Sequence, residues 1–250
     1  MATGSTGRAV TPGDHPAALA NRASEEGVAV KYGDRRWTWR DHLRDASARA
    51  AALLAIADRA RPVHVGVLLG NGPEFLNQMA AAGLGGYVLC GINTTRRGAA
   101  LAADIRRADC QIVVTDAEHR RLLRGLDLSG VAVLDSSSRQ WARLIAAAGP
   151  LTPYRHAAPE DTFMLIFTSG TSGDAKPVQV SHLMVLVSGQ NLVGRFGITA
   201  DDTCYLSMPL FHSDALIAGW GVAVATGAAM APAKFSASAF LADIRRYGAT

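Results

Sequence analysis

Cysteine and long apolar runs are scarce in this 250-residue chain, and each scarcity excludes a class of protein. The three cysteines, Cys90, Cys110 and Cys204, lie far apart, without a CxxC pair or histidines at zinc-ligand spacing. Such a set argues against a disulfide framework or a zinc site and favours a reducing compartment. We therefore predict free, buried thiols, no metal ligands among the side chains and a cytoplasmic protein.

The chain also lacks a strong excess of one charge and an apolar segment of membrane-spanning length. Basic residues outnumber acidic ones only 25 to 21 and are spread along the chain, which predicts no nucleic-acid partner. The most apolar stretch, residues 215–231, is rich in glycine and alanine and slightly short for a span, so a buried helix or strand pair is favoured. Peripheral membrane association stays open.

The chain is organised as alternating strands and helices. The stretch "MATGSTGRAVTPGDHP" is polar and rich in Gly, Pro and Thr, without the apolar core of a signal peptide, and residues 1–27 are predicted to form a flexible tail. The next residues indicate a strand, a Gly-Asp turn, a second strand and a helix beginning near Asp41. Continuous apolar segments such as "HVGVLLG" and "CQIVVTD" then alternate with helical ones, which predicts an α/β fold with mostly parallel sheets flanked by helices.

The later part continues the same pattern. A polar, Pro-containing connector at 150–161 marks a segment boundary within one partial domain, 28–250. The final residues predict a helix capped by Ser236 or Ser238. The sequence then stops where another strand is expected, which suggests a fragment.

One loop carries the strongest chemical signal. "FTSGTSGDAK", residues 167–176, crowds glycines, hydroxyls and a lysine between two strand-like segments. Only three of the 25 basic residues are lysines, at positions 31, 176 and 234, so a lysine here is notable as a compact phosphate-binding charge. The glycines allow backbone N–H groups to point inward around an anion, while the same composition also suits a flexible hairpin. Composition alone leaves both interpretations open.

A P-loop of the GxxxxGK[ST] type does not fit this loop. When Lys176 is aligned with the motif lysine, Ala175 occupies the second glycine and Pro177 occupies the magnesium-binding hydroxyl position. A P-loop also opens into a helix, whereas here "PVQVS" returns to a strand.

The loop resembles the phosphate-binding signature of the adenylate-forming superfamily: acyl-CoA synthetases, peptide-synthetase adenylation domains and luciferases. It departs from that signature at Ala175, where the family has proline, and at Pro177, where it has glycine. Three further stretches agree in order, "VAVKYGDRRWTWRDH", "HVGVLLGNGPEFL" with its continuation, and "SMPLFHSDALIAGW". The stretch "KFSASAF" is similar to the very-long-chain acyl-CoA synthetase and fatty-acid transport protein subgroup, and the similarity covers residues 28–250.

The resemblance implies a long-chain or very-long-chain fatty-acid–CoA ligase that uses ATP, Mg²⁺ and CoA. A fatty-acid carboxylate attacks the α-phosphate to give acyl-AMP and pyrophosphate, and the CoA thiol then displaces AMP. The phosphate-binding residues implied by the motif are Thr168, Ser169, Gly170, Thr171, Ser172, Gly173 and Lys176.

A second group of residues is implied at the acyl site. His212 is expected near the carboxylate or the tunnel mouth, with a histidine at a helix start as the alternative. Phe211, Leu216 and Trp220 are expected to line an apolar tunnel, with plain core as their alternative. His182 is predicted to be structural, and Asp201 and Asp202 to be turn residues.

The same resemblance implies parts that this sequence does not hold. Family members continue into adenosine- and ribose-binding motifs and a hinged C-terminal domain with a catalytic lysine. The 250 residues are therefore expected to be inactive alone. Two alternatives remain: a ligase that passes the acyl group to a carrier protein, and a non-catalytic nucleotide- or lipid-binding relative.

Overall fold

The computed structural model describes residues 14–168 and 175–250. Within these ranges the chain forms ten strands: β1 Val28–Tyr32, β2 Arg35–Thr38, β3 His64–Leu68, β4 Val88–Gly91, β5 Ile112–Thr115, β6 Ala132–Asp135, β7 Thr162–Thr168, β8 Lys176–Ser181, β9 Thr203–Leu206 and β10 Ala229–Pro232. The eight α-helices of the same ranges are α1 His15–Asn21, α2 Trp39–Ile56, α3 Pro73–Gly85, α4 Gly98–Arg107, α5 Arg139–Ala147, α6 His182–Phe196, α7 Val222–Thr226 and α8 Phe240–Tyr247.

The strands form two sheets. The larger has the order β6-β5-β3-β4-β7-β8 and is parallel except for β8, which runs antiparallel to β7. The smaller has the order β2-β1-β10-β9, with only the β1–β2 pair antiparallel. These mostly parallel sheets confirm the predicted α/β class.

The apolar strands of the larger sheet are buried on both faces. In β3, Val65 and Val67 belong to a core that joins both sheets and includes α2, α3 and α6, whereas Leu68 belongs to a second core with residues of α4. This two-sided burial explains why the strand sequences are continuously apolar instead of alternating.

The N-terminal prediction is wrong for residues 14–24. Instead of a flexible tail, α1 and a 3₁₀ turn at Arg22–Ser24 occupy this stretch, and His15 and Leu19 are fully buried. Asp14 caps α1, because its Oδ1 accepts a hydrogen bond of 2.9 Å from Ala17 N. Residues 1–13 lie outside the described ranges.

Several helix limits also differ from expectation. Helix α2 begins at Trp39, two residues before Asp41, because the Thr38 hydroxyl accepts from Asp41 N at 3.1 Å. Helix α8 has Ala239 at its cap, so neither predicted serine side chain caps it; the Ser236 carbonyl accepts from Phe240 N instead. Helix α5, which the sequence analysis did not anticipate, is capped by Ser138.

The apolar stretch at 215–231 is buried and mixed in structure. It forms a π-helix at Ala215–Gly221, continues into α7 and enters β10. Among the helices of the described ranges, none combines the length and apolar character that crossing a membrane requires.

Candidate active site

The β7–β8 hairpin presents the predicted phosphate-binding segment. Thr168 is the last residue of β7 and pairs with Lys176, the first residue of β8. Both side chains are exposed, and they mark the two sides of the hairpin mouth. The predicted residues Ser169, Gly170, Thr171, Ser172 and Gly173 lie outside the described ranges.

The hairpin mouth lies at the carboxyl edge of the parallel strands. Because β7 is parallel to β4, and β4 to β3, Thr168 lies at the edge where these strands end. Ligands of open α/β sheets bind outside this edge. Ala175, at the motif's proline position, is buried in the second core and anchors the hairpin just before Lys176.

The segment that carries His212 packs onto the same edge. A Cβ atom on Gly91, the last residue of β4, would lie 2.9 Å from Phe211 Cβ and 3.1 Å from Phe211 Cα. Gly91 pairs with Ile166, two residues before Thr168. Phe211 therefore rests on the sheet close to where the hairpin leaves it, and the structure brings His212 and the hairpin mouth to one edge.

His212 itself is half-buried and precedes the helical segment. Its backbone N–H donates to the Pro209 carbonyl at 2.9 Å, and its carbonyl accepts from Leu216 N at 3.2 Å. The Phe211 and His212 rings are 4.8 Å apart between centroids. The partial exposure of His212 would allow its imidazole to contact a substrate. Its role at the acyl site stays a prediction.

Leu216 and Trp220 are fully buried in the core that joins the sheets. Trp220 Nε1 donates a hydrogen bond of 3.0 Å to His15 Nε2. These contacts show closed packing around Trp220, and the role of both residues in an acyl tunnel stays a prediction.

Three histidines are buried behind this site. His15 Nδ1 lies 3.0 Å from His182 Nδ1. Because the Trp220 indole can only donate, neutral His15 carries its proton on Nδ1 and donates it to His182. Burial lowers the pKa of His42 and of His182 to about 4, and burial followed by the neighbouring His182 lowers the pKa of His15. All three are therefore neutral at pH 7, and His182 is a structural residue as expected.

Among the described residues, no group of three or more His, Cys, Asp or Glu side chains is placed to hold a metal ion. Asp202 accepts from Thr199 N at 2.7 Å, which confirms it as a turn residue. The three cysteines are free; Cys90 and Cys110 are buried, while Cys204 is only partly so. A cleft of about 440 Å³ lies at the opposite end of the sheet, lined by residues that begin its strands, among them His64, Val88 and Thr162.

Sequence reasoning missed one residue of this edge, Asn71. It follows β3 and is hydrogen-bonded to the backbone of Leu206, Met208 and Leu210, the residues that lead to His212. Only the Asn-Gly-Pro turn after an apolar strand marks its position, and that turn does not reveal the partners.

Solved structures identify the class of fold. The chain superimposes with a TM-score of 0.81 on an ATP-bound MatB from Rhodopseudomonas palustris, at 21% identity, over 95% of this chain and 48% of that one. For the AMP complex of O-succinylbenzoate coenzyme A synthetase MenE from Bacillus subtilis the TM-score is 0.78, at 24% identity, over 93% and 60% of the two chains. The fold is that of the adenylate-forming enzymes.

The family follows from the sequence itself. Residues 17–250 match the AMP-binding enzyme family, and the chain belongs to it. The resemblance drawn from the loop is thereby confirmed, and its start moves from residue 28 to residue 17.

Curated relatives include acyl-CoA ligases. The chain is 49% identical to the medium/long-chain-fatty-acid–CoA ligase FadD17 of Mycobacterium marinum, over 88% of this chain and 43% of that protein. It is 40% identical to the steroid-22-oyl-CoA synthetase of Rhodococcus jostii, over 93% and 42%. It is 29% identical to the human long-chain fatty acid transport protein 6, over 98% and 41%. The chain thus spans less than half the length of these relatives.

Proposed function

We propose that this protein takes part in the ATP-dependent activation of a medium- or long-chain fatty acid to its CoA thioester. The observation that carries the proposal is the pairing of Thr168 with Lys176 at the carboxyl edge, in a chain of the AMP-binding enzyme family. The 49% identity to a fatty-acid–CoA ligase supports the substrate class.

The first step joins two anions. A carboxylate oxygen attacks the α-phosphorus of ATP, the bond from that phosphorus to the bridging oxygen breaks, and pyrophosphate leaves with the electron pair. The protein's task is to position the reactants and offset their charge. In this proposal Lys176 offsets charge on the departing phosphates, and the hydroxyls and backbone N–H groups of residues 168–173 hold them in place.

In the second step the CoA sulfur attacks the acyl carbon, the bond from that carbon to the phosphate oxygen breaks, and AMP leaves. The thiol proton passes to solvent.

Two residues of the same edge hold the fatty acid in this proposal. His212, which is half-buried, orients the carboxylate for the first step, and Phe211 contributes apolar surface for the acyl chain. Mg²⁺ enters with the ATP phosphates and neutralises part of their charge.

A steroid-derived acid is a second candidate substrate, because the chain is 40% identical to a steroid-22-oyl-CoA synthetase. A comparison of C12 to C18 fatty acids with a steroid side-chain acid separates the two candidates.

The test uses the full-length product of the gene that encodes this chain, with Mg-ATP and fatty acid, with and without CoA. We expect AMP and pyrophosphate only when acid is present, and acyl-CoA once CoA is added. ADP and phosphate would contradict adenylation. Acyl-AMP without thioester would instead indicate a carrier-protein acceptor, and no turnover would indicate a binding relative.

A substitution tests the hairpin directly. We expect Lys176→Ala to lower the adenylation rate about 100-fold, since a charge aimed at the reacting phosphates is lost. The control is Arg143→Ala, which removes an exposed cation on α5, the helix that follows β6 at the other end of the strand order from β8. Equal rates for Lys176→Ala and wild type would remove this lysine from the mechanism.

A further inference from the structure

Asn71 is hydrogen-bonded at both ends of its side-chain amide. Its Nδ2 donates toward three carbonyl oxygens, those of Leu206 at 3.0 Å, Met208 at 2.7 Å and Ala233 at 3.0 Å. Its Oδ1 accepts from Leu210 N at 3.0 Å. All four partners are backbone groups, so the amide organises the path of the chain around it.

Two of these partners, Leu206 and Ala233, lie at the carboxyl ends of strands in the smaller sheet. Leu206 ends β9, Ala233 directly follows β10, and the Leu206 carbonyl also accepts from Ala233 N at 3.0 Å. Asn71 follows β3 and precedes Gly72 and Pro73, where α3 begins. A single side chain thus ties the carboxyl end of the larger sheet to the carboxyl ends of β9 and β10.

The tie also fixes the segment that leads to His212. Met208 and Leu210 lie four and two residues before it, and Phe211 rests on Gly91 of β4. The segment at 207–212 is therefore held by the Asn71 amide and by the surface of β4. An amide is suited to this place because it both donates and accepts; a carboxylate could still accept from Leu210 N but would face three carbonyl oxygens.

We propose that Asn71 is a positioning residue that holds segment 207–212, and through it His212, at the carboxyl edge beside the hairpin mouth. The catalytic consequence rests on the proposed function. The structural consequence, that loss of the Asn71 amide loosens segment 207–212, stands independently of it.

The catalytic test compares Asn71→Asp and Asn71→Ala with wild type in the full-length protein, using the release of pyrophosphate. We expect kcat to fall about 10- to 100-fold, because displacement of about 1 Å at a reacting group has that effect. KM for ATP should change less than about threefold, since the hairpin and not this segment contacts the phosphates. Asn191→Asp is the control, because Asn191 is an exposed asparagine of α6.

A double substitution separates positioning from general stability. In a His212→Ala background, Asn71→Asp should lower the rate less than about threefold, because the group it positions is already absent. A fall as large as in the wild-type background would show that Asn71 does not act through His212 and would overturn the catalytic part of the proposal.

Hydrogen exchange tests the structural part without any activity. In Asn71→Asp the amides of 207–212 should exchange at least about tenfold faster, while those of β3 stay as in wild type. Unchanged exchange at 207–212 would overturn the proposal. If wild type shows no turnover, the proposed function fails while this measurement still decides the role of Asn71; Asn71→Ala serves if the aspartate variant does not fold.

Discussion

A single glycine, Gly91, sets how closely the His212 segment approaches the sheet. In Gly91→Ala the new Cβ would meet Phe211 Cβ at 2.9 Å, Phe211 Cα at 3.1 Å and Met164 Cε at 2.6 Å. The methionine end can move, but the backbone of Phe211 can move only with its segment. We expect a loss of about 1–3 kcal/mol in the free energy of unfolding, measured with urea, together with slower adenylation.

Gly149→Ala is the control for this substitution, because a Cβ there meets no atom within 4 Å. Its free energy of unfolding should stay within about 0.5 kcal/mol of wild type. A Gly91→Ala protein as stable as this control would mean that Phe211 does not rest on β4 in solution.

Single residues could be predicted from the sequence where they belong to a continuous motif. Residues whose importance comes from contacts with distant parts of the chain could not. Thr168 and Lys176 could be predicted as site residues because their motif is continuous, and the structure shows their cross-strand pairing, while their phosphate-binding role stays a prediction. Asn71 could not be identified, since its partners lie between 135 and 162 residues away in the chain. The burial of Trp220 against His15, 205 residues apart, was hidden for the same reason.

Among the elements, helix α6 depends on a close crossing with the π-helix. A Cβ on Gly189 of α6 would lie 2.4 Å from the carbonyl carbon and oxygen of Gly221 and 2.9 Å from Val222 N. These are backbone atoms, so the helices would have to separate. We expect Gly189→Ala to lower the free energy of unfolding by about 2–3 kcal/mol in urea titrations.

The same helix supplies a matched control at Gly194, where a Cβ meets nothing within 4 Å. Gly194→Ala should raise the free energy of unfolding by about 0.5–1 kcal/mol, because alanine has the higher helix propensity. The prediction fails if both alanine variants shift stability in the same direction.

Helices and strands could be predicted where the residue composition and the spacing of apolar residues indicated the same kind of element. The buried parallel strands were readable as apolar runs, and α3 as a helix that begins with Pro73. Helix α1 was not predicted, since its seven residues are too few to show a clear helical period and it is held by tertiary packing of His15 and Leu19. The π-helix at Ala215–Gly221 has no sequence period of its own, so only its burial could be anticipated.

For the whole molecule, the buried neutral histidines connect distant parts of the chain. His15 in α1 contacts His182 at the start of α6 and Trp220 in the π-helix, and its ring lies 4.7 Å from that of Phe163 in β7 between centroids. Protonation of His15 would place a proton on Nε2, where Trp220 already donates, and would break that hydrogen bond. Acid should therefore loosen the N-terminal helix together with the core that joins the sheets.

The sign of the pH dependence follows from the lowered pKa values. Burial lowers the pKa of His42 and His182 to about 4, whereas the ordinary histidine pKa, which applies to the unfolded chain, is about 6.5. Between pH 6.5 and about 4 the unfolded chain binds protons that the folded chain does not, so stability is full above this window and is lost as pH falls through it. Each such histidine adds a slope approaching about 1.4 kcal/mol per pH unit.

Urea unfolding between pH 7 and 5 measures this slope before most carboxylates titrate. Replacement of His42 by methionine removes one titrating group, so the variant should lose stability more gently with falling pH than wild type does. His156→Gln, at an exposed histidine, should keep the wild-type slope. A wild-type free energy of unfolding that stays constant from pH 7 to 5 would contradict the burial of neutral imidazoles. A gentler slope in His42→Met alone would assign that part of the acid sensitivity to the buried imidazole of His42 in α2, which faces Asn77 of α3.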